Sequence, residues 1–368
     1  MKTAYTNCSI YTGTKKETGK AILVNNNITE QLVSEKELPA GYAVKDLGKL
    51  NVAPAFTDLQ IYGGDGQLFS AELSTAAIAA TYRYCLRGGC TQFMLTMATN
   101  TIEIFLKGIE LVKQYWQQGG KGVLGLHMEG PYLNPAKKGA HIPECIKKPT
   151  ADEVAMLLEK GKGVLKMMTV APEVCDEEII RMLTDNDIIV SAGHSNATYA
   201  EAERGFALGI PTATHLFNAM SPFQSREPGL VGAVYNNDSV KSSIVADGVH
   251  VDFVSLRISK KIMGERLFFI TDAVAETAKG AYRHVFKGNR YTLPNGTLSG
   301  SALTMIQSVK NVVQHAGIPL EEALRMASTY PAQLLKAPVP LGRIEAGYAA
   351  EFVVFDDALA VKDVITGQ

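Results

Sequence analysis

The chain has 368 residues, 46% of them apolar and 20% charged, a balance ordinary for a globular enzyme and long enough for one large barrel with an appendage, or two ordinary domains. A formal net charge of -1 excludes an overall electrostatic case for nucleic acid or a membrane surface, so an anionic ligand must be met by local groups. The five cysteines, Cys8, Cys85, Cys90, Cys145 and Cys175, form no C-x-x-C pair and suit buried thiols in a reducing compartment. The opening Met1–Asn7 stretch has no apolar signal-peptide core, and no uncharged apolar run reaches bilayer-spanning length. A cytoplasmic location is the expectation.

From the N-terminus, the first fifty or so residues alternate short β-prone runs with turns. Cys8–Thr12 leads into a polar loop, and Ala21–Val24 runs into Asn25-Asn26-Asn27. From Asn51 the rhythm becomes apolar strand, loop and amphipathic helix, repeating roughly every 20–35 residues as βα units do. Eight strands are predicted: Ala55–Ile61, Gln92–Thr96, Val123–His127, Leu165–Val170, Ile188–Gly193, Thr212–His215, Ser242–Ala246 and Leu267–Thr271. Helical patterns between them include Ser74–Arg87, Ile102–Gln117, Ala151–Glu159 and Tyr199–Leu208, with Ser74 as an N-cap and Gly88-Gly89 as a stop. Further helical patterns follow Thr304, at Leu320–Ser328 and at Pro331–Lys336, and the tail is β-like over Gly342–Gly347 and Glu351–Phe355. The expected architecture is α/β: a (β/α)8 TIM-like barrel over residues 53–337, with a small β-sandwich domain built from both termini, 1–52 plus 338–368.

Four residues suited to metal and proton chemistry close four of these strand patterns: Glu129, His194, His215 and Asp272. Singly, each has an ordinary explanation, as a solvated loop carboxylate or a hydrogen-bonded strand end. In a parallel barrel, however, the C-terminal strand ends converge on one mouth, and four such residues at the same end are hard to reach by accident. Two imidazoles and a carboxylate are a standard hydrolytic zinc set. Asp272 leaves an apolar wall, Leu267–Thr271, with no basic neighbour in sequence, which suits a proton shuttle. Gly130-Pro131 turns the chain away directly after Glu129. The pattern reads as a metal-dependent hydrolase.

The motifs that carry these residues are longer than the residues themselves. H-M-E-G-P-Y-L-N at His127–Asn134, K-K-G-A-H at Lys137–His141, G-H-S-N-A at Gly193–Ala197 and H-L-F-N-A-M at His215–Met220 come first. R-E-P-G-L at Arg226–Leu230, A-D-G-V-H at Ala246–His250, T-D-A at Thr271–Ala273 and L-S-G-S at Leu298–Ser301 follow. In this order they resemble the N-acetylglucosamine-6-phosphate deacetylases of the amidohydrolase superfamily, and the likeness covers almost the whole chain. The resemblance implies one divalent metal per subunit, usually zinc, held by Glu129, His194 and His215. It implies Asp272 as the base for the attacking water and then the acid for the leaving amine, with His141 hydrogen-bonding the acetamide carbonyl. It further implies substrate contacts from Ala140, His141, Asn218, Ala219, Arg226, Asp247, His250, Leu298, Ser299 and Gly300. Arg226 and His250 would address a phosphate, Arg226 reaching the neighbouring active site of a homodimer. The implied partner is a small amino sugar phosphate, with neither nucleic acid nor membrane.

One segment departs from the wider superfamily. Many members open the barrel with an H-x-H pair that holds a second metal; here Gln60 and Tyr62 stand in those places, and neither is a good zinc ligand. Two rivals follow. A deacetylase for the galactosamine 6-phosphate epimer would share every motif. A metal-free relative acting as a binding protein is suggested by the missing H-x-H pair and opposed by the retained Glu129, His194, His215 and Asp272.

Overall fold

Eight parallel strands form one sheet in the structure, a computed structural model that describes Lys2–Gly367. Met1 and Gln368, the outer ends of the expected sandwich spans, lie outside the described residues. The strands are β1 (Phe56–Ile61), β2 (Cys90–Ala98), β3 (Val123–Glu129), β4 (Leu165–Val170), β5 (Ile189–Ala192), β6 (Thr212–Ala213), β7 (Lys241–Val245) and β8 (Leu267–Ile270). Each lies beside the next in sequence. The sheet then closes on itself. Ile61 bridges Ala273 in parallel, the Tyr62 N–H donates to Ala273 O at 2.9 Å, and the Asp272 N–H donates to Gln60 O at 3.0 Å. This is the (β/α)8 barrel.

The local reasons are visible in the residues. β1 and β8 are buried along their whole length, as in a sheet covered on both faces; β8 reads as an apolar run, whereas β1 buries the polar Thr57, Asp58 and Gln60. The helix Ile102–Gln117 starts where the Thr101 side chain accepts from the Ile104 N–H, and it buries Phe105, Ile109 and Val112 on one face. Tyr199–Ala207 starts with a reciprocal box between Thr198 and Glu201. Ser74 Oγ accepts from the Ala77 N–H at 3.2 Å, which makes it the cap its sequence position suggests. Among the described residues no helix is long and apolar enough to cross a membrane.

The terminal segments form two further sheets. One has Lys20–Asn25 and Lys2–Thr6 at its centre, flanked by Ile28–Ser34 and Ala43–Asp46. The other runs Val361–Ile365, Phe352–Phe355, Asn51–Pro54, Ser9–Tyr11 and Lys16–Glu17. Tyr5, Ile22 and Val24 from the first sheet share a buried cluster with Ile10, Val52, Phe352 and Val354 from the second, so the sheets face each other across an apolar layer. The compact unit holding them extends to Asp58, takes in Cys85–Gln92, and resumes at Thr304; the other comprises Leu59–Tyr84 and Phe93–Leu303.

Two expectations for the C-terminal region need correction. The helix expected at Pro331–Lys336 is instead Thr329–Ala332, with Pro331 inside its first turn, where the missing N–H costs nothing. Gly342–Gly347 forms no strand, because its end glycines adopt φ of 84° and 86° and turn the chain. An element without a counterpart in the sequence reading is a small antiparallel sheet of Val285–Phe286, Arg290–Thr292 and Leu298–Ser301.

Candidate active site

Glu129 is the last residue of β3, while His194, His215 and Asp272 each stand two residues past the ends of β5, β6 and β8. Those three share a feature the sequence does not announce: φ values of 47°, 40° and 53°. Non-glycine residues enter this left-handed region rarely, and three at one barrel rim mark a geometry imposed by the surroundings. Gly193 makes the approach possible beside His194. A Cβ there would lie 2.8 Å from Thr169 Cγ2 and 2.9 Å from Thr214 Cβ.

The side chains meet in a buried knot. Glu129 Oε1 lies 3.3 Å from His194 Nε2 and 3.1 Å from His215 Nε2, and the two nitrogens are 3.1 Å apart. A tetrahedral ion with N and O ligands at roughly 2.0–2.2 Å spaces them about 3.3–3.6 Å apart, close to these edges. His194 Nδ1 donates to Lys137 O at 2.8 Å, which leaves the Nε2 lone pair facing the knot. His215 is held instead from its main chain, its N–H donating to Ser243 Oγ at 2.8 Å. Burial alone would raise the Glu129 carboxyl, but the His141 and His194 imidazoles hold it well below its ordinary value. Burial lowers His215, yet the hydrogen bond and charge of Glu129 outweigh it and hold the imidazole above its ordinary value. One buried carboxylate ringed by imidazole nitrogens suits a divalent cation.

His141 also belongs to this cluster by distance: its ligand atom, with those of Glu129 and His194, falls within 4.8 Å. Its protonation sets it apart. The Thr99 N–H, a donor that cannot change role, points at Nδ1 from 3.2 Å, so the ring's proton resides on Nε2, 3.0 Å from Glu129 Oε2. Burial, with His194 nearby, pushes this imidazole down to about 4, so it is a neutral donor. It offers a hydrogen where a ligand would offer a lone pair.

Gln60 and Tyr62 turn the departure from H-x-H into a positive role. Gln60 Nε2 donates to Glu129 Oε1 at 3.0 Å and to Asp272 Oδ1 at 2.9 Å, and the Tyr62 hydroxyl donates to Glu129 Oε2. Burial raises the Asp272 carboxyl, opposed by His215 and His250. His250 Nε2 faces Asp272 Oδ2 from 3.7 Å, while its Nδ1 lies 2.6 Å from Asp247 Oδ2. A further residue the sequence reading missed is Glu173. It accepts from Asn134 Nδ2 at 2.9 Å, Ser195 Oγ at 2.7 Å and the Asn196 N–H at 2.7 Å, and so fastens the segment that follows Glu129 to the one that follows His194. Its only signal was a carboxylate three residues past β4, near the strand ends where the four chosen residues stand.

These groups open onto a cavity of about 160 Å³. Glu129, His194, His215 and Asp272 line it, as do Ala140, His141, Asn218, Ala219, His250, Leu298, Ser299 and Gly300. Two expected substrate contacts do not. Asp247 sits behind His250 and acts on its ring, and Arg226 is exposed on the loop after Ser221. No lysine or arginine lines the cavity among the described residues.

Fold and site together define a barrel hydrolase built to work with a divalent metal. The amidohydrolase family model matches residues 51–367. A Haemophilus influenzae protein named N-acetylglucosamine-6-phosphate deacetylase is 38% identical over 366 residues, 96% of this chain and 95% of its own. The crystal structure of N-acetylglucosamine-6-phosphate deacetylase from Pasteurella multocida matches with a TM-score of 0.95 and 34% identity, covering 100% of this chain and 98% of that one. A Shewanella protein named N-acetylgalactosamine-6-phosphate deacetylase is 31% identical over 310 residues, 82% of this chain and 78% of its own. The chain belongs to the amidohydrolase family.

Proposed function

We propose that this chain is a cytoplasmic enzyme of amino-sugar catabolism that hydrolyses the acetamide of N-acetylglucosamine 6-phosphate to acetate and glucosamine 6-phosphate. The observation that carries the reading is one cavity holding the Glu129, His194 and His215 donors, the Asp272 carboxylate and the His141 N–H. The names of the relatives above point the same way. Glu129, His194 and His215 would hold one divalent ion, zinc by the softness of two imidazoles with a carboxylate, and that ion supplies polarisation of the attacking water and the amide carbonyl. Asp272, its Oδ1 pinned by Gln60, takes the proton from the water as the new C–O bond forms. The His141 Nε2–H donates to the carbonyl oxygen as it gathers negative charge. Asp272 then returns its proton to the nitrogen as the C–N bond breaks, and the amine leaves neutral.

The phosphate needs a permanent cation, and no lysine or arginine lines the cavity among the described residues. Arg226, as a homodimer partner's contribution, supplies the fork-shaped donor such a group binds. The surface around it favours a second copy. Phe223, three residues before Arg226, is 62% exposed, and Val254, Ile258 and Ile262 are 53%, 49% and 47% exposed. Those last three recur every fourth residue on the helix Phe253–Met263, an apolar stripe facing outward.

The test is a panel of N-acetyl hexosamines with and without 6-phosphate, including the galacto epimer, on metal-loaded enzyme. The 6-phosphorylated gluco substrate should be preferred at least ~10-fold in kcat/KM over the free sugar, from charge-assisted hydrogen bonds of about 1.5–3 kcal/mol each. Arg226→Ala should erase much of that preference without loss of metal, and Ile258→Glu should do the same while yielding monomers by light scattering. Mixing Arg226→Ala with Asp272→Asn should restore activity in heterodimers that pair one intact base with the other chain's arginine. Equal rates on free and phosphorylated sugars would sink the phosphate reading; a preference for the galacto epimer would reassign the substrate. No recovery on mixing would place the arginine's action within its own chain.

A further inference from the structure

The chain beyond Asp272 returns to the barrel mouth as the small antiparallel sheet, and its last strand is stitched to the base: the Ser301 N–H donates to Asp272 O at 2.9 Å. Just ahead of that sheet, His284 lines the cavity at 5% exposure. Its ring stacks on Tyr282, with centroids 6.1 Å apart and planes 10° apart, and meets Tyr291 edge-on at 6.4 Å. Tyr282 is itself anchored, its hydroxyl donating to Thr99 O at 2.6 Å. His284 Nδ1 lies 2.9 Å from Ser299 Oγ, whereas Nε2 makes no hydrogen bond to the described residues and opens on the cavity.

A ring needed only to fill an aromatic row between two tyrosines would be served by phenylalanine, with no nitrogen to satisfy. Here one nitrogen is fixed and the other is left for an occupant. Burial pushes the imidazole down to about 4, so near neutral pH it carries no charge for a phosphate. A neutral imidazole whose Nδ1 is committed to a serine offers at Nε2 one hydrogen bond of the kind an uncharged hydroxyl takes. The acetamide is already met by Glu129's cluster and His141.

We propose that His284 is a specificity-determining residue of this cavity, with Nε2 hydrogen-bonding a ring hydroxyl of the sugar and Ser299 fixing the imidazole's orientation. The inference rests on the amino sugar phosphate reading above. It makes His284 a sorter of ring stereochemistry, separate from the groups that handle the amide and the phosphate. A site built to pair with a hydroxyl rejects analogues that lack or misplace it, because its own polar atom is then left unpaired.

The experiment compares wild type, His284→Phe and His284→Gln on N-acetylglucosamine 6-phosphate, its galacto epimer and the 3-deoxy and 4-deoxy analogues. His284→Phe should lower kcat/KM on the preferred sugar by about tenfold, the scale of one lost neutral hydrogen bond. Wild type should lose a similar factor on the single analogue lacking the contacted hydroxyl, and the Phe variant should no longer distinguish that analogue from the parent. His284→Gln, which keeps a neutral donor and acceptor, should recover part of the loss, with metal content and melting temperature unchanged in both variants. Wild-type values for His284→Phe on every sugar, or an equal loss on all of them, would overturn the assignment. Wild-type enzyme inactive on the whole series would overturn the substrate reading and this inference with it, an outcome distinct from an active wild type whose His284 variants change nothing.

Discussion

Replacing Asp272 with Asn should lower turnover by roughly 10²–10⁴-fold, the usual worth of a positioned acid–base group, while metal and substrate still bind. The substitution keeps the shape and removes only the proton-accepting oxygen. The hydrogen bond from Gln60 Nε2, 2.9 Å from Asp272 Oδ1, can persist to the amide oxygen, and the strand pairing through the Asp272 N–H is untouched. The backbone at φ 53° is one that asparagine tolerates better than most residues. A fall in kcat with little change in KM and a full metal complement is therefore the expected signature. Wild-type kcat in this variant would remove Asp272 from the mechanism, and loss of metal along with activity would make it a ligand instead.

Removing an imidazole from the metal trio should be at least as severe and differ in kind. His194→Asn or His215→Asn should lose metal and activity together, by more than the roughly 10–100-fold that loss of a mere supporting partner costs a metal site. Elemental analysis of wild type should return one equivalent per chain, because Gln60 Nε2 and the Tyr62 hydroxyl are taken up donating to Glu129 and Asp272. Added zinc should raise the melting temperature of wild type and leave either variant unmoved, a readout independent of turnover. Two tightly held ions, both required for turnover, would refute the single-metal assignment. An active enzyme after exhaustive chelation would refute the metal altogether.

The four residues at the barrel-strand ends were legible because strands buried on both faces read as largely apolar runs, against which a carboxylate or imidazole at the C-terminal end stands out. Their conformation was not legible. Nothing in the letters around His194, His215 or Asp272 signals a left-handed backbone, which arises from packing against neighbouring strands. Gln60 and Tyr62 read as the loss of two ligands; their partners lie 69 and 212 residues away for Gln60 and 67 for Tyr62, beyond any local pattern. His284 escaped for a related reason. It borders strands of two to four residues in a polar segment, too short to show a period of two. Arg226 was read only through its motif, and its exposed position is where a residue aimed at another subunit would be.

The seam between the first and last strands has a consequence for how activity depends on assembly. Glu129, His194 and His215 belong to β3, β5 and β6 and the turns after them, in the interior of the sheet's sequence order, whereas Gln60 and Asp272 meet across the seam, from opposite ends of it. Joining segments 212 residues apart carries a larger entropic cost than zipping neighbouring strands, so this edge is where the sheet is most easily parted. Fraying there would swing Asp272 away from Gln60 and leave the imidazoles in place. If Glu129, His194 and His215 hold the ion and Asp272 moves the proton, ion retention and turnover are tied to different parts of one sheet, and the catalytic rate serves as a gauge of whether the cylinder is shut.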